Sequence, residues 1–165
     1  MLYSYDFIGG ENNSYVFVTK IGIAYEIKFK PSTYINLFDK EVSEFIFEFV
    51  IKVAINETGK NPTLDKLISG TIAAIFKEFL LKHDNNIALY ICDSSDGRQD
   101  LRKRKFDEWY YKHEEPTKFA KMNEVLIDSD GNGYLISMIF QQSNPRKLEI
   151  IAAFLKLVDD NNTEK

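Results

Sequence analysis

The segment Ile87-Ala88-Leu89-Tyr90-Ile91-Cys92 constrains the fold more than any other stretch, because it is apolar at every position. Successive side chains of a strand point to opposite faces, so an unbroken apolar run reads as a strand covered on both sides. Such a strand belongs inside a sheet. The residues before it read as a helix. Leu64, Leu67, Ile68, Thr71, Ile72, Ile75, Phe76, Phe79 and Leu80 recur at helical spacing, and Ala73, Ala74 and Leu81 widen the stripe. Asn61-Pro62 is expected to open this helix, with asparagine as cap and proline at the first helical position. A helix between two strands of one sheet implies a crossover, hence a parallel pair.

The N-terminal third alternates instead. Tyr3, Tyr5 and Phe7 alternate with Ser4 and Asp6, a turn follows at Gly9 to Asn13, and Tyr15 to Val18 reads as a second strand. After a turn at Lys20-Ile21-Gly22, Tyr25, Ile27 and Phe29 alternate with Glu26, Lys28 and Lys30 until Pro31. Phe45, Phe47, Phe49, Ile51 and Val53 form one face of a fourth strand. Short links between these runs predict an antiparallel meander.

Beyond the central strand, Asp93 to Gly97 is a loop, and a charged helix runs to about His113, with Asp96 and Gln99 at capping-box spacing. Val125 to Ile127 and Tyr134 to Phe140 flank a turn and predict a hairpin. Asn144-Pro145 opens a last helix carrying Leu148, Ile151, Ala152, Leu155 and Val158. The predicted order is ββββ-α-β-α-ββ-α. It gives an α+β fold: a single mixed, mainly antiparallel sheet with packed helices. One domain is expected over residues 1–158, with a frayed tail at 159–165.

At 165 residues the chain can bury a sizeable core without disulfides, and its single cysteine, Cys92, fits a reducing, cytoplasmic compartment. The start, Met1 to Asp6, lacks a basic region followed by an apolar core, so no signal peptide is expected. The most apolar helix is interrupted by Lys66, Lys77 and Glu78 and is too polar to span a bilayer. The formal net charge of -4 argues against a dedicated nucleic-acid binder, though a basic helix over 98–105 keeps nucleic acid as an alternative partner.

Asp93 to Lys105 is the candidate site. A buried strand delivers an acidic, serine-rich loop, and ligands of α/β sheets gather beyond the carboxyl ends of strands. Asp93, Asp96, Arg98 and Arg102 are the candidate ligand-binding residues, the arginines and the helix amides attracting an anion. The bland reading is a solvated helix: Asp100, Arg104 and Glu108 lie at i, i+4 and i+8, and Lys103 can pair with Asp107.

Asp128-Ser129-Asp130-Gly131-Asn132-Gly133 matches the first half of a calcium loop, but Ile139 stands where the bidentate glutamate belongs, so a hairpin turn is expected and no metal site. His83 and His113 fall at predicted helix ends, where histidine acts as a cap more often than as a base. Cys92 ends an apolar strand and reads as buried and inert. Trp109, Tyr110 and Tyr111 read as helix-to-sheet packing in preference to a base-stacking platform. No P-loop, nucleophile elbow or zinc-spaced Cys/His cluster occurs.

The run Cys92-Asp93-Ser94-Ser95-Asp96-Gly97-Arg98, followed by Arg102, Arg104, Phe106 and Trp109, resembles the signature of an uncharacterised family of small bacterial proteins of Bacteroides type, which implies no activity. Without its first strand and last helix, the element order also resembles the N-acetyltransferase superfamily over about residues 14–140. That resemblance implies an acyl-CoA held where two parallel strands separate. The superfamily's pyrophosphate loop would fall at Asn56 to Thr63, which has one glycine, Gly59, and a proline, Pro62, that lacks an amide donor. The leading expectation is therefore a non-catalytic binding or protein-interaction module without a cofactor. An acyl-CoA-dependent N-acyltransferase-like protein, active or degenerate, is the alternative, with acetyl-CoA as its ligand.

Overall fold

The computed structural model describes every residue except 34–37, 39, 60–64, 93–96, 98, 114–116, 128–129 and 164–165. Its strands are β1 (Tyr5–Gly9), β2 (Ser14–Val18), β3 (Ala24–Pro31), β4 (Ile46–Ile55), β5 (Ile87–Ile91), β6 (Phe119–Ile127) and β7 (Gly133–Gln141). Its helices are α1 (Lys40–Ser43), α2 (Lys66–Leu81), α3 (Gln99–His113) and α4 (Lys147–Thr163). The strands make one seven-stranded sheet in the order β1-β2-β3-β4-β5-β7-β6. Only β4 and β5 run parallel; every other neighbouring pair is antiparallel. The mixed α+β sheet expected from the sequence is the one observed, with β5 inside it.

β5 is covered on both faces because it lies between two cores. On one face, α2 and α3 pack over the aromatic side of β1 to β4, where Tyr15, Phe17, Tyr25, Phe29 and Phe49 are buried with Phe76 and Phe79. Phe29 stacks on Phe79 at 3.8 Å between centroids, and Phe106 lies tilted against Tyr90 at 4.2 Å. Ala88 faces this core. On the other face, Ile87 and Leu89 join Ile46, Met138 and Phe140 under α4, which contributes Ile150, Phe154 and Leu157. Alternation from Tyr25 to Lys30 gives β3 one buried and one wetter face, as its patterning requires.

Several elements differ from the sequence reading. Asp65 caps α2: its backbone is extended, at φ -105 and ψ 118, and its carboxylate accepts from Leu67 N–H at 2.8 Å. Asn61 and Pro62, expected to start the helix, lie outside the described residues. The short α1 was not anticipated; its buried Val42 joins the second core. β6 begins at Phe119, well before Val125, because Phe119 and Ala120 pair with Gln141 and Phe140. The tail expected from residue 159 is helical to Thr163, and Asn162 ties it down: its side-chain oxygen accepts from Ile127 N–H at 3.1 Å and its amide donates to Val125 O at 3.2 Å. Among the described residues, no helix is long and apolar enough to cross a membrane.

Candidate functional site

The parallel ladder between β4 and β5 is short. It joins Ile46 to Ile87, Phe47 to Ala88 and Glu48 to Leu89, and then stops. Both strands go on: β4 stays paired with β3 as far as Ile55, while β5 stays paired with β7 through Ile91. The two strands therefore form a fork. Within it lies a groove of about 490 Å³ lined by Phe49, Val50 and Ile51 from β4, Tyr90 and Ile91 from β5, and a wall from α3.

The wall is one helical face. Arg102, Lys105, Phe106 and Trp109 stand at i, i+3, i+4 and i+7 and all line the groove. Asp100, Arg104 and Glu108 lie on the exposed side, and Lys103 pairs with Asp107 at 2.5 Å. The solvated, salt-bridged face lies on one side of this helix, and Arg102 lines the groove on the other. The cations of α3 thus point in several directions and form no single outward basic stripe, which removes support from a nucleic-acid reading. Trp109 and Lys105 also border a second groove of about 380 Å³ between α2 and α3, where Asp65, Lys66 and Ser69 form the far side.

Beneath the wall sits a buried charge cluster. The side chain of Lys121 is only 3% exposed and bonds the Asp107 carboxylate, which also holds Lys103. Its ammonium lies 5.4 Å from the Phe106 ring centroid and 5.2 Å from that of Tyr110. Burial pulls Lys121 below the ordinary lysine value, against the opposing pull of Asp107. Asp107 is itself exposed to desolvation, which acts upward, yet its bonds to Lys103 and Lys121 leave it below the usual carboxylate range.

Burial, with Cys92 next to it, pushes the Tyr90 hydroxyl upward. Burial likewise raises the Cys92 thiol, although Tyr90, Lys103 and Arg102 act in the other direction. Both shifts act against ionisation, and Cys92 is buried, as its apolar strand predicts.

Of the candidate residues named from sequence, Arg102 lines the groove, whereas Asp93, Asp96 and Arg98 lie outside the described residues. Lys105 and Trp109 were not among them as site residues, although their spacing from Arg102 was legible. Trp109 separates from its neighbours: Tyr110 packs inward and donates to Phe119 O at 2.9 Å, while Tyr111 is 65% exposed.

His83 follows α2; its Nδ1 accepts from Asn85 N–H at 3.2 Å and its ring stacks on Phe45, so it closes the turn after the helix. The His113 side chain lies outside the description. Asp128 and Ser129 of the calcium-like loop do so too; the loop's flanks are the strands β6 and β7, and Ile139 is buried between Ala88 and Lys121.

No curated protein and no solved structure matches the chain. Residues 64–156, more than half of its length, match a family model, and they include the Cys92 to Trp109 segment that carries the sequence resemblance. The match takes in α2, β5, the α3 wall and the β6–β7 hairpin, and with it the chain belongs to a family of unknown function, DUF6169.

Proposed function

We propose that this chain is a non-catalytic binding module whose ligand sits in the fork between β4 and β5. One observation carries the reading: the ladder stops after Glu48 and Leu89 while both strands continue, which opens an aromatic-walled groove beside Arg102 and Lys105. Concave sites with apolar walls and a few convergent polar groups are where proteins hold small ligands and extended chains. Burial acts against ionisation of Tyr90 and Cys92, the reactive side chains at the strand end, which suits binding better than nucleophilic chemistry. The free, buried thiol of Cys92 supports a reducing, cytoplasmic setting, and the Cys92 to Trp109 signature supports a bacterial, Bacteroides-type source.

A second reading, an N-acyltransferase-like protein, is favoured by the parallel pair that separates toward its carboxyl ends. The described start of α2 does not fit the pyrophosphate of acyl-CoA. The Asp65 carboxylate already occupies that helix end, bonded to Leu67 N–H and to the Tyr3 hydroxyl, and these bonds hold it below the usual carboxylate range. A second anion there meets a fixed negative charge.

Thermal-shift measurements with acetyl-CoA, nucleotides, short RNA, aromatic carboxylates and acidic peptides separate the readings, since a ligand preferring the native state raises the melting temperature. A carboxylate or peptide shift lost in Arg102→Ala/Lys105→Ala supports the module. A shift with acetyl-CoA alone promotes the acyltransferase, and a salt-sensitive shift with RNA promotes nucleic acid. Carboxylate and peptide shifts that survive the double substitution sink the fork as the seat.

A further inference from the structure

We infer that the fork takes an extended peptide, alternately acidic and apolar, which adds to β4 as a strand; the inference rests on the fork being the binding seat. The phase of the ladder leads to it. Ile87 N–H donates to Phe45 O at 2.8 Å, and Ser32 N–H donates to Ile46 O at 2.9 Å. Odd-numbered residues of β4 therefore turn their N–H and C=O toward β5, and even-numbered ones toward β3. Beyond the last paired residues, Phe49 O and both backbone groups of Ile51 and Val53 face the fork with no strand partner among the described residues. Across the opening, Cys92 N–H donates to Leu135 O at 2.9 Å, which sets the phase of β5: Ile91 turns its N–H and C=O to the fork as well.

The groove thus has two facing backbone edges. In the free protein water can satisfy them. A ligand that fills the fork displaces that water and must offer donors and acceptors in alternation, which an aromatic acid cannot do and a peptide main chain does. The open stretch from Phe49 to Val53 corresponds to about five residues, or roughly 17 Å, of strand.

The side chains of such a peptide meet two different surroundings. On the α3 side they meet Arg102, Lys105 and Trp109, which favours acidic residues there. On the other face they meet Val50 and Ile91, which favours apolar ones. Alternation of the two follows from the period of the strand.

Trp109 is the only tryptophan, so its fluorescence reports the groove directly. The test titrates the full chain with a capped heptapeptide alternating valine and glutamate, and with two analogues N-methylated on alternate amides in opposite phases. The expected result is saturable binding, weakened at least tenfold by methylation in one phase and at least tenfold by Arg102→Ala/Lys105→Ala. Circular dichroism and the melting temperature confirm that the variant is folded, and Arg102→Gln is a milder second variant.

Equal binding of the peptide and both methylated analogues overturns strand addition but leaves the fork as a seat. So does a shift with a small aromatic acid and none with the peptide. Failure of every anion and peptide overturns both. Sedimentation as a dimer that does not bind the peptide and that Arg102→Ala/Lys105→Ala dissociates assigns the fork to a second copy and overturns the peptide.

Discussion

At the scale of single residues, the sharpest consequence concerns Lys121 and Asp107. Lys121 is almost wholly buried, whereas Asp107 keeps a second partner in Lys103 and about a fifth of its side-chain surface in water. Removing either charge is therefore not symmetric. Asp107→Asn strands a buried ammonium and should cost roughly 3 kcal/mol in urea denaturation at pH 7, at the low end of the range for broken buried pairs. Lys121→Met leaves Asp107 solvated and paired, fills the same space with apolar atoms, and should cost less than about 1 kcal/mol. The pH dependence follows from the directions of the shifts. Asp107 is lower in the fold than its ordinary 3.8, so its contribution is complete above that value and is lost as pH falls below it. Asp107→Asn lacks this contribution and should show a flatter acid limb. Lys121 is lower in the fold than the ordinary 10.5, so the unfolded chain holds that proton more tightly. The deficit of Asp107→Asn should then shrink as pH rises toward 10.5. A deficit independent of pH, or an equal cost for Lys121→Met, would show that the pair is not the source.

At the scale of elements, β5 carries a gradient along its length. Ile87 and Leu89 are 1% exposed, but Ile91 stands at the mouth of the fork and is half-buried. Leu89→Ala should cost roughly 2–5 kcal/mol, the range for a closed core, while Ile91→Ala should cost about 1 kcal/mol because water can enter beside it. Equal costs in chemical denaturation would mean that the fork is closed in solution. The same strand shows what the sequence could and could not convey. Its unbroken apolar run, following a helix, was enough to place it inside the sheet and parallel to β4, since burial on both faces is a property of side-chain type alone. Where the β4–β5 ladder ends was not legible. Phe49-Val50-Ile51 is as apolar and strand-forming as Ile46-Phe47, and β4 goes on pairing with β3 and β5 with β7 past the point where their own ladder ends. Only the resemblance in element order implied a seat between separating parallel strands; the residues themselves did not reveal the groove, although Arg102, Lys105 and Trp109 share a face at readable spacing. The helical end at Asn162 was hidden similarly: a polar side chain satisfying the β6 edge looks, in sequence, like a frayed tail.

At the scale of the whole molecule, the sheet separates two cores that cover its opposite faces, and its two antiparallel halves meet at a seam, the three-pair ladder between β4 and β5. α2 and α3 cover the N-terminal meander and reach the hairpin through Phe119 and Ile139, while α4 covers the opposite face of the hairpin and of β5. Such a seam can end early without unfolding either side, because β4 is still held by β3 and β5 by β7. That architecture makes a specific prediction for backbone hydrogen exchange. Within one strand, the amides of Val50 and Lys52 point at β3 and are bonded there, while those of Ile51 and Val53 point into the fork. Amides bonded in a packed ladder exchange only through opening, whereas amides facing water exchange readily. Residue-resolved exchange should therefore alternate along β4, slow at Val50 and Lys52 and at least tenfold faster at Ile51 and Val53. Saturation with a strand-adding peptide should erase the alternation by slowing the fast pair, with little effect on the slow one. Uniform slow exchange along β4 in the free protein would mean that the edge is already covered, and the fork would then be no site at all.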